Sequence, residues 1–268
     1  MTSNLIAALP MYDWPERRDE VDAEWATLRD GMRAQGINAP DTLTRRNADM
    51  PGVPGGIRDA QGAQIGPDPA TLAEDEFDLP TLWRHPSLLL AQTCWGPMQL
   101  GLEAFVSVVG QPDYSAVEGG AGPLYSSVIV MRRQDVSGVS HCPSPVQGTA
   151  SLPIDLLRGR AFAFNSTDSM SGYLGISGDL AGIGESLSLF GALVETGGHR
   201  LSLQSVASGR ADVAAVDARS WDIAKRYEPA AARLTVVGWT SRSRGLPFIR
   251  AKDLDILQAE ATHRANLP

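Results

Sequence analysis

Short apolar segments alternate with helical segments along this 268-residue sequence, and that alternation restricts the fold more than any other feature. Residues 88–91 and 211–217 are apolar runs of strand length, whereas Val21, Trp25 and Leu28 recur at the spacing of one helical face. The pattern predicts an α/β fold with mixed, mostly parallel sheets. Predicted strands cover 5–9, Trp83 with 88–91, 105–109, 125–131, 160–164, 211–217, 234–238 and 246–250. Predicted helices cover 21–32, the stretch after 173, 203–207, 221–227 and 254–261.

Bulk composition excludes several classes of protein. The net charge is −8, so no basic face is available for a nucleic acid, and no apolar run reaches the roughly 18 residues that a membrane helix needs. Hydrophobic residues make up 43% and charged residues 20%, as in an ordinary globular protein. The composition therefore favours a small-molecule partner over a nucleic acid.

The compartment and the cysteine chemistry stay open. No basic stretch precedes the apolar residues 5–9, so no signal peptide is visible. We expect a periplasmic protein if an export signal has been removed, and a cytoplasmic one otherwise. Cys94 and Cys142 are compatible with one disulfide, but their separation in the sequence does not decide it.

Residues 50–80 form a long excursion with five prolines, five glycines and an acidic cluster. This composition is typical of an irregular, solvated loop. A loop of this length in a compact domain also suits a lid, so a role at the mouth of a cleft is an open alternative.

Residues 160–173 carry the most suggestive chemistry. An apolar strand ends at Phe164, a hydroxyl-rich turn follows, and a helix begins after it. Unpaired N–H groups and the helix dipole at such a junction favour an anion. The alternative is that Asp168 or Ser169 simply caps the helix.

Catalytic and metal-binding patterns are scarce. His85, His141, His199 and His263 form no i,i+4 pair with another ligand in a clear helix, and no Gly-x-Ser-x-Gly elbow occurs. Ser169 and Ser171 have no identifiable histidine partner unless His199 folds back. We therefore expect no catalytic residue, no metal and no cofactor.

Five predicted strand ends present polar or aromatic residues, at Tyr12, 93–95, 125–126, 165–171 and Asp217. The carboxyl ends of parallel strands share one edge of a sheet, where ligands bind. We expect these residues to meet there.

A series of segments, in the same order along most of the chain, matches one known family: residues 5–12, 89–94 with 96–97, 125–130, 159–165, 169–173, 198–207, 209, 211–217 and 245–248. In these segments the chain resembles the phosphate-, phosphite- and phosphonate-binding (PhnD-like) solute receptors of ABC transporters, a branch of the type 2 periplasmic-binding fold. The resemblance implies two α/β lobes, one formed by 1–111 with 242–268 and the other by 112–241, with the ligand between them.

The resemblance also implies a set of ligand contacts. Ser169, Ser171 and Gly172 match a Ser-Thr-Ser-Gly turn that grips the oxyanion, with Met170 in place of the threonine. Tyr12, His199 and Asp217 match further contacts, and Tyr125 is a looser match. The complete expected set is Tyr12, Trp95, Tyr125, Asn165, Ser169, Met170, Ser171, Gly172, His199 and Asp217.

The expected function is that of a monomeric receptor that clamps a small tetrahedral oxyanion for uptake through an ABC permease. Asp168 and Asp217 disfavour a dianion, so a monoanion or zwitterion is expected. The alternative is a cytoplasmic enzyme or sensor of the same fold acting on a small organic acid, with His199 and Asp217 transferring protons.

Overall fold

The computed structural model describes residues 5–136, 138 and 141–254. The chain divides into two compact units. Unit 1 comprises 1–93, 98–110 and 247–268, and unit 2 comprises 94–97 and 111–246.

Fourteen strands and seven α-helices are present in the described residues. The strands are β1 (Ile6–Ala8), β2 (Ile57–Arg58), β3 (Gln64–Gly66), β4 (Leu88–Gln92), β5 (Val106–Gly110), β6 (Gly120–Ala121), β7 (Leu124–Tyr125), β8 (Ser127–Arg132), β9 (Ala161–Phe164), β10 (Ala192–Glu195), β11 (Val213–Asp217), β12 (Leu234–Trp239), β13 (Ser243–Arg244) and β14 (Phe248–Ala251). The helices are α1 (Arg18–Ala34), α2 (Leu79–Arg84), α3 (Trp95–Gln99), α4 (Ile154–Leu157), α5 (Gly175–Gly182), α6 (His199–Ser208) and α7 (Ala218–Tyr227), and Met170–Leu174 forms a π-helical turn. None of these helices combines the length and apolar character needed to cross a membrane.

Unit 1 is built on a four-stranded sheet in the order β1-β4-β14-β5. β1 and β4 are parallel, and β14 is antiparallel to both of its neighbours. α1 covers this sheet through Val21 and Trp25, which are buried against Ala7 and Leu89. The apolar spacing that predicted this helix thus marks its buried face.

Unit 2 is built on a five-stranded sheet in the order β10-β9-β11-β8-β12, in which only β8 runs against the other strands. Phe162 on β9 stacks on Phe190 with ring centroids 4.5 Å apart. Ile176 and Leu180 of α5 join the same core. Both large sheets are therefore mixed, as predicted, with three parallel and four antiparallel strand pairings.

The direction of β8 positions residues of the candidate site. Because β8 is antiparallel to β11, Ser127 at the start of β8 pairs with Asp217 at the end of β11. Tyr125, the last residue of the short strand β7, and Ser126 therefore lie at the amino-terminal end of β8, whereas the sequence predicted that they lie at the carboxyl-terminal edge of a parallel sheet. They still reach the same edge because β8 runs in the opposite direction.

Four local predictions need correction or restriction. Trp83 lies in α2 and not at the start of a strand, and the predicted turn at 92–97 already contains the first residues of α3. The excursion at 50–80 includes the hairpin of β2 and β3. Apart from Leu254, the helix predicted at 254–261 lies outside the described residues.

Candidate functional site

A π-helical turn at Met170–Leu174 follows the hydroxyl-rich turn predicted to bind an anion. Ser169 is its N-cap, and its Oγ accepts a hydrogen bond from the N–H of Gly172 at 3.0 Å. The N–H of Leu174 donates to the carbonyl of Ser169 at 2.9 Å, which gives the wider turn. The capping alternative is thus confirmed for Ser169. π-Helical turns within longer helices occur frequently at functional sites.

The N–H groups at this helix start are less free than predicted. The N–H of Gly172 is used by the Ser169 cap, and the N–H of Met170 donates to the Sγ of Cys94 at 3.3 Å. Gly96 allows this close approach because a Cβ at that position would lie 1.7 Å from the carbonyl oxygen of Asp168. The expectation of several unpaired N–H groups was therefore wrong for these two.

His199, the first residue of α6, folds back onto the serine turn. Its Nε2 lies 2.9 Å from the Oγ of Ser171 and 3.4 Å from Oδ2 of Asp217. A proton on Nε2 can be donated to these oxygens, whereas a bare nitrogen would present its lone pair to a carboxylate. The geometry thus assigns the proton of the neutral ring to Nε2.

The opposite ring nitrogen of His199 then acts as an acceptor. Nδ1 is buried and has no hydrogen-bond partner among the described residues. Burial lowers the pKa of His199, and the nearby carboxylate of Asp217 offsets part of that effect. The ring is therefore neutral near pH 7, with one acceptor left unsatisfied.

Asp217 is held in place by its position at the end of β11. Its Oδ1 accepts from the N–H of Ser220, so the carboxylate caps α7 and leaves Oδ2 facing His199. Its side chain is only 3% exposed. An N-cap carboxylate is stabilised in the charged form by the helix dipole, so it supplies a fixed negative charge at the site.

Tyr125 completes the cluster from the segment before β8. The residue is 1% exposed, and its ring lies 5.1 Å from that of Tyr114. Burial, followed by the nearby Cys94 and Asp217, raises the pKa of the phenol well above its usual value. Tyr125 is therefore protonated and can donate a hydrogen bond. We define the candidate site as Tyr125, Ser169, Ser171, His199 and Asp217.

The candidate site does not have the geometry of a hydrolytic triad. In such a triad the serine and the carboxylate contact opposite ring nitrogens of the histidine. Here Ser171 and Asp217 both face Nε2 of His199. The arrangement therefore suits hydrogen bonding to a ligand better than proton relay.

Asn165, Met170 and Trp95 lie around this cluster in unit 2. Oδ1 of Asn165 is buried without a partner in the described part of the chain and packs on Gly172, where a Cβ would lie 1.9 Å from it. Met170 is half-buried and contributes its N–H to the contact with Cys94. The indole of Trp95 lies under the guanidinium of Arg244, 4.9 Å from its centroid.

Tyr12 belongs to unit 1, where it is buried and its carbonyl accepts from Arg17 at 3.0 Å. Its role as a ligand contact stays a prediction. Sequence reasoning missed Cys94 and Arg244 as neighbours of the candidate site. Cys94 lies within the segments that carry the family resemblance, but no motif distinguishes it from a core residue.

Metal and disulfide chemistry are both absent from the described residues. No group of three or more histidine, cysteine, aspartate or glutamate side chains there has the geometry to hold a metal ion. Cys94 and Cys142 are both free in the part of the chain that the structure describes.

The chain thus has two units, each built on a mixed sheet, and a hydrogen-bonding cluster in unit 2. The family model described as "ABC transporter, phosphonate, periplasmic substrate-binding protein" matches residues 99–264, more than half of the chain. The chain belongs to this family, whose members are substrate-binding proteins and not enzymes. No curated protein matches the chain in sequence.

Solved structures of the same fold include two phosphonate-binding proteins. PhnD1 from Prochlorococcus marinus, in complex with methylphosphonate, is 19% identical with a TM-score of 0.51, over 69% of this chain and 66% of that one. The binding protein component of an ABC phosphonate transporter from Pseudomonas aeruginosa is 16% identical with a TM-score of 0.51, over 68% and 57%. The chain thus spans less than two thirds of either protein. At these sequence identities, the structural similarity to the two proteins shows the two-lobed fold alone.

Proposed function

We propose that this protein is the solute receptor of an ABC importer and that its candidate site binds a small tetrahedral oxyanion of the phosphonate, phosphate or phosphite type. One observation carries the proposal. The hydroxyl of Ser171 and the imidazole of His199 meet where a helical run of thirteen residues, Met170 to Gly182, begins, and the buried phenol of Tyr125 lies near Asp217 of the same cluster. Neutral donors at a helix start bind an anion because fixed dipoles replace its water.

The protonation state of the ligand follows from the groups left without partners. Nδ1 of His199 and Oδ1 of Asn165 are both acceptors buried without a donor among the described residues. Asp217 adds a negative charge nearby. A fully ionised dianion has no hydrogen to offer these groups and is repelled by Asp217, whereas a monoanion with one O–H, or a zwitterion with an N–H group, satisfies them. The ligand is therefore a monoanion or a zwitterion.

The family match and the methylphosphonate bound by the Prochlorococcus marinus protein support this ligand class. Delivery to a membrane permease and a periplasmic location belong to the same proposal, because the family is defined by that role. Tyr12 and Trp95 are proposed as further contacts to the organic part of the ligand.

Isothermal titration calorimetry of the purified protein tests the proposal. The ligands are methylphosphonate, phosphate, phosphite and acetate. We expect one-to-one binding of at least one tetrahedral oxyanion and weaker binding of acetate. Ser171→Ala removes a buried donor and should weaken binding by about 1–3 kcal/mol, or roughly 5- to 150-fold.

Ser208→Ala is the matched control, since Ser208 is exposed at the end of α6 and donates to the carbonyl of Ser205. Its affinity should equal that of the unmodified protein. Equal affinity of the Ser171→Ala variant for the same oxyanion would reject the assigned site.

A further inference from the structure

The thiol of Cys94 occupies a hydrogen-bond donor at which the proposed anion would be expected to bind. The N–H of Met170 donates to Sγ at 3.3 Å. Met170 and Ser171 are the first residues of the helical run that follows the Ser169 cap. An oxyanion at this helix start would need the N–H group of Met170.

Sulfur is a weak acceptor, and a neutral thiol is weaker than a thiolate. Burial raises the pKa of Cys94, so the side chain carries no charge near pH 7. An ionised oxygen is a much stronger acceptor, because charge-assisted hydrogen bonds are about twice as strong as neutral ones. The N–H of Met170 is therefore occupied but poorly satisfied.

We propose that Cys94 is an internal competitor for the oxyanion: ligand binding displaces its thiol from the N–H of Met170, and this competition lowers the affinity of the site. The proposal rests on the function proposed above. Displacing the thiol costs the same free energy for every anion that takes this N–H, so a weak acceptor such as chloride gains little in total, whereas a phosphonate oxygen gains enough to replace the thiol. Cys94 thus determines how tightly the site binds.

Two features of the site fit a displaceable side chain. The backbone around Cys94 is fixed, because Gly96 packs directly on the carbonyl of Asp168, so only a rotation of the cysteine side chain frees the donor. Independently of the thiol, Nδ1 of His199 is fully buried and without a partner among the described residues. The site therefore contains one donor that is bound to a weak acceptor, the N–H of Met170, and one acceptor without a donor among the described residues, Nδ1 of His199.

The test compares Cys94→Ala with Cys142→Ala, the other free cysteine, whose thiol contacts the carbonyl of Pro143. Calorimetric titrations use methylphosphonate, phosphate and chloride. Removal of the competitor should raise the affinity for the oxyanion by about five- to tenfold, the equivalent of one weak hydrogen bond, and should raise the affinity for chloride by a similar factor. Cys142→Ala should leave all three affinities unchanged.

A second measurement keeps Cys94 in place and so does not depend on how the variant folds. In ¹⁵N-labelled protein, methylphosphonate should move the amide proton resonances of Met170 and Ser171 downfield, because an ionised oxygen replaces the sulfur as acceptor at Met170 and also accepts from Ser171. In the Cys94→Ala variant the same resonances should start from a different position and end near the same one.

The outcomes separate this proposal from the one on which it rests. If the unmodified protein binds an oxyanion but Cys94→Ala binds it equally or more weakly, or if the Met170 and Ser171 amides do not move, the competition is wrong and the receptor function stands. If only the Cys94→Ala variant binds, the competition is supported in its strongest form. If neither binds any tetrahedral oxyanion, both proposals fail.

Discussion

At the scale of single residues, the candidate site depends on charge states that burial imposes. His199 and His85 both have a lowered pKa, with burial as the main cause. Asp217 raises the pKa of His199, and the carbonyl of Pro51 that of His85, but neither fully offsets the burial effect. The folded protein therefore holds two neutral imidazoles that the unfolded chain would protonate near pH 6.

This difference predicts a loss of stability in mild acid. The pKa of each histidine is about 6.5 in the unfolded chain and lower in the folded protein, so the unfolded state binds more protons between the two values. The contribution of the two histidines to the free energy of unfolding is therefore at its maximum above pH 6.5 and decreases as the pH falls below that value. Thermal unfolding between pH 7.5 and 5 should show this decrease.

Variants assign the effect to the buried histidines. His199→Gln should flatten part of the acid decrease, since the variant has no ionisable ring at that position. His141→Gln, at an exposed histidine that contacts Glu118, should keep the decrease caused by His199 and His85. An acid decrease that is unchanged in His199→Gln would contradict the assigned neutral ring.

At the scale of elements, the segment at 94–96 contacts the serine turn at the start of the 170–182 helical run, and Gly96 permits this close contact. β9 and the Ser169 cap were foreseeable, since an apolar strand followed by a hydroxyl-rich turn commonly leads into a capped helix, whereas the π-helical form of residues 170–174 was not predicted. The contact of Cys94 with the helix start was not, because it depends on Gly96 fitting against Asp168, far away in the sequence.

The direction of β8 and the presence of the edge strand β10 could not be predicted from the sequence either. Apolar periodicity indicates that residues 127–132 are buried, but not that β8 runs antiparallel to β11. β10 was missed because it is an edge strand with mostly exposed side chains, so it lacks the apolar run of a buried strand. Asp217 was predicted as a site residue because it ends a strongly apolar strand. The contact between Ser171 and His199 depends on how α6 packs against the serine turn, which the sequence does not indicate.

Two glycine substitutions test the close contact at Gly96. Gly96→Ala places a Cβ 1.7 Å from the carbonyl oxygen of Asp168 and should destabilise the fold by about 1–3 kcal/mol or more, with loss of ligand binding. Gly178→Ala, inside α5 with open space around its Cβ, should stabilise the fold by up to about 1 kcal/mol. Urea unfolding of both variants measures the difference. Equal stabilities would mean that the close approach at Gly96 is not required.

At the scale of the whole molecule, the net charge of −8 opposes an anionic ligand, so the attraction must come from local donors. Long-range repulsion between protein and ligand is screened by salt, as the Debye length falls from about 30 Å at 0.01 M to about 8 Å at 0.15 M. The association rate constant for methylphosphonate should therefore rise with salt, by about twofold over this range. Stopped-flow measurements with intrinsic tryptophan fluorescence can follow it.

A zwitterionic aminoalkylphosphonate is the control for the salt experiment, since its small net charge makes its association rate nearly independent of salt. A rate constant for methylphosphonate that falls with salt would show that a local positive field dominates, and Arg244 above Trp95 is the first cation to examine in that case.

The most direct measurement is a crystal structure of the protein with methylphosphonate. The account predicts phosphonate oxygens within hydrogen-bond distance of Ser171, Tyr125 and the N–H groups of the turn at Met170–Leu174, with a protonated group of the ligand near Nδ1 of His199. A phosphonate bound elsewhere, with residues 165–172 and His199 unchanged and out of contact, would contradict it.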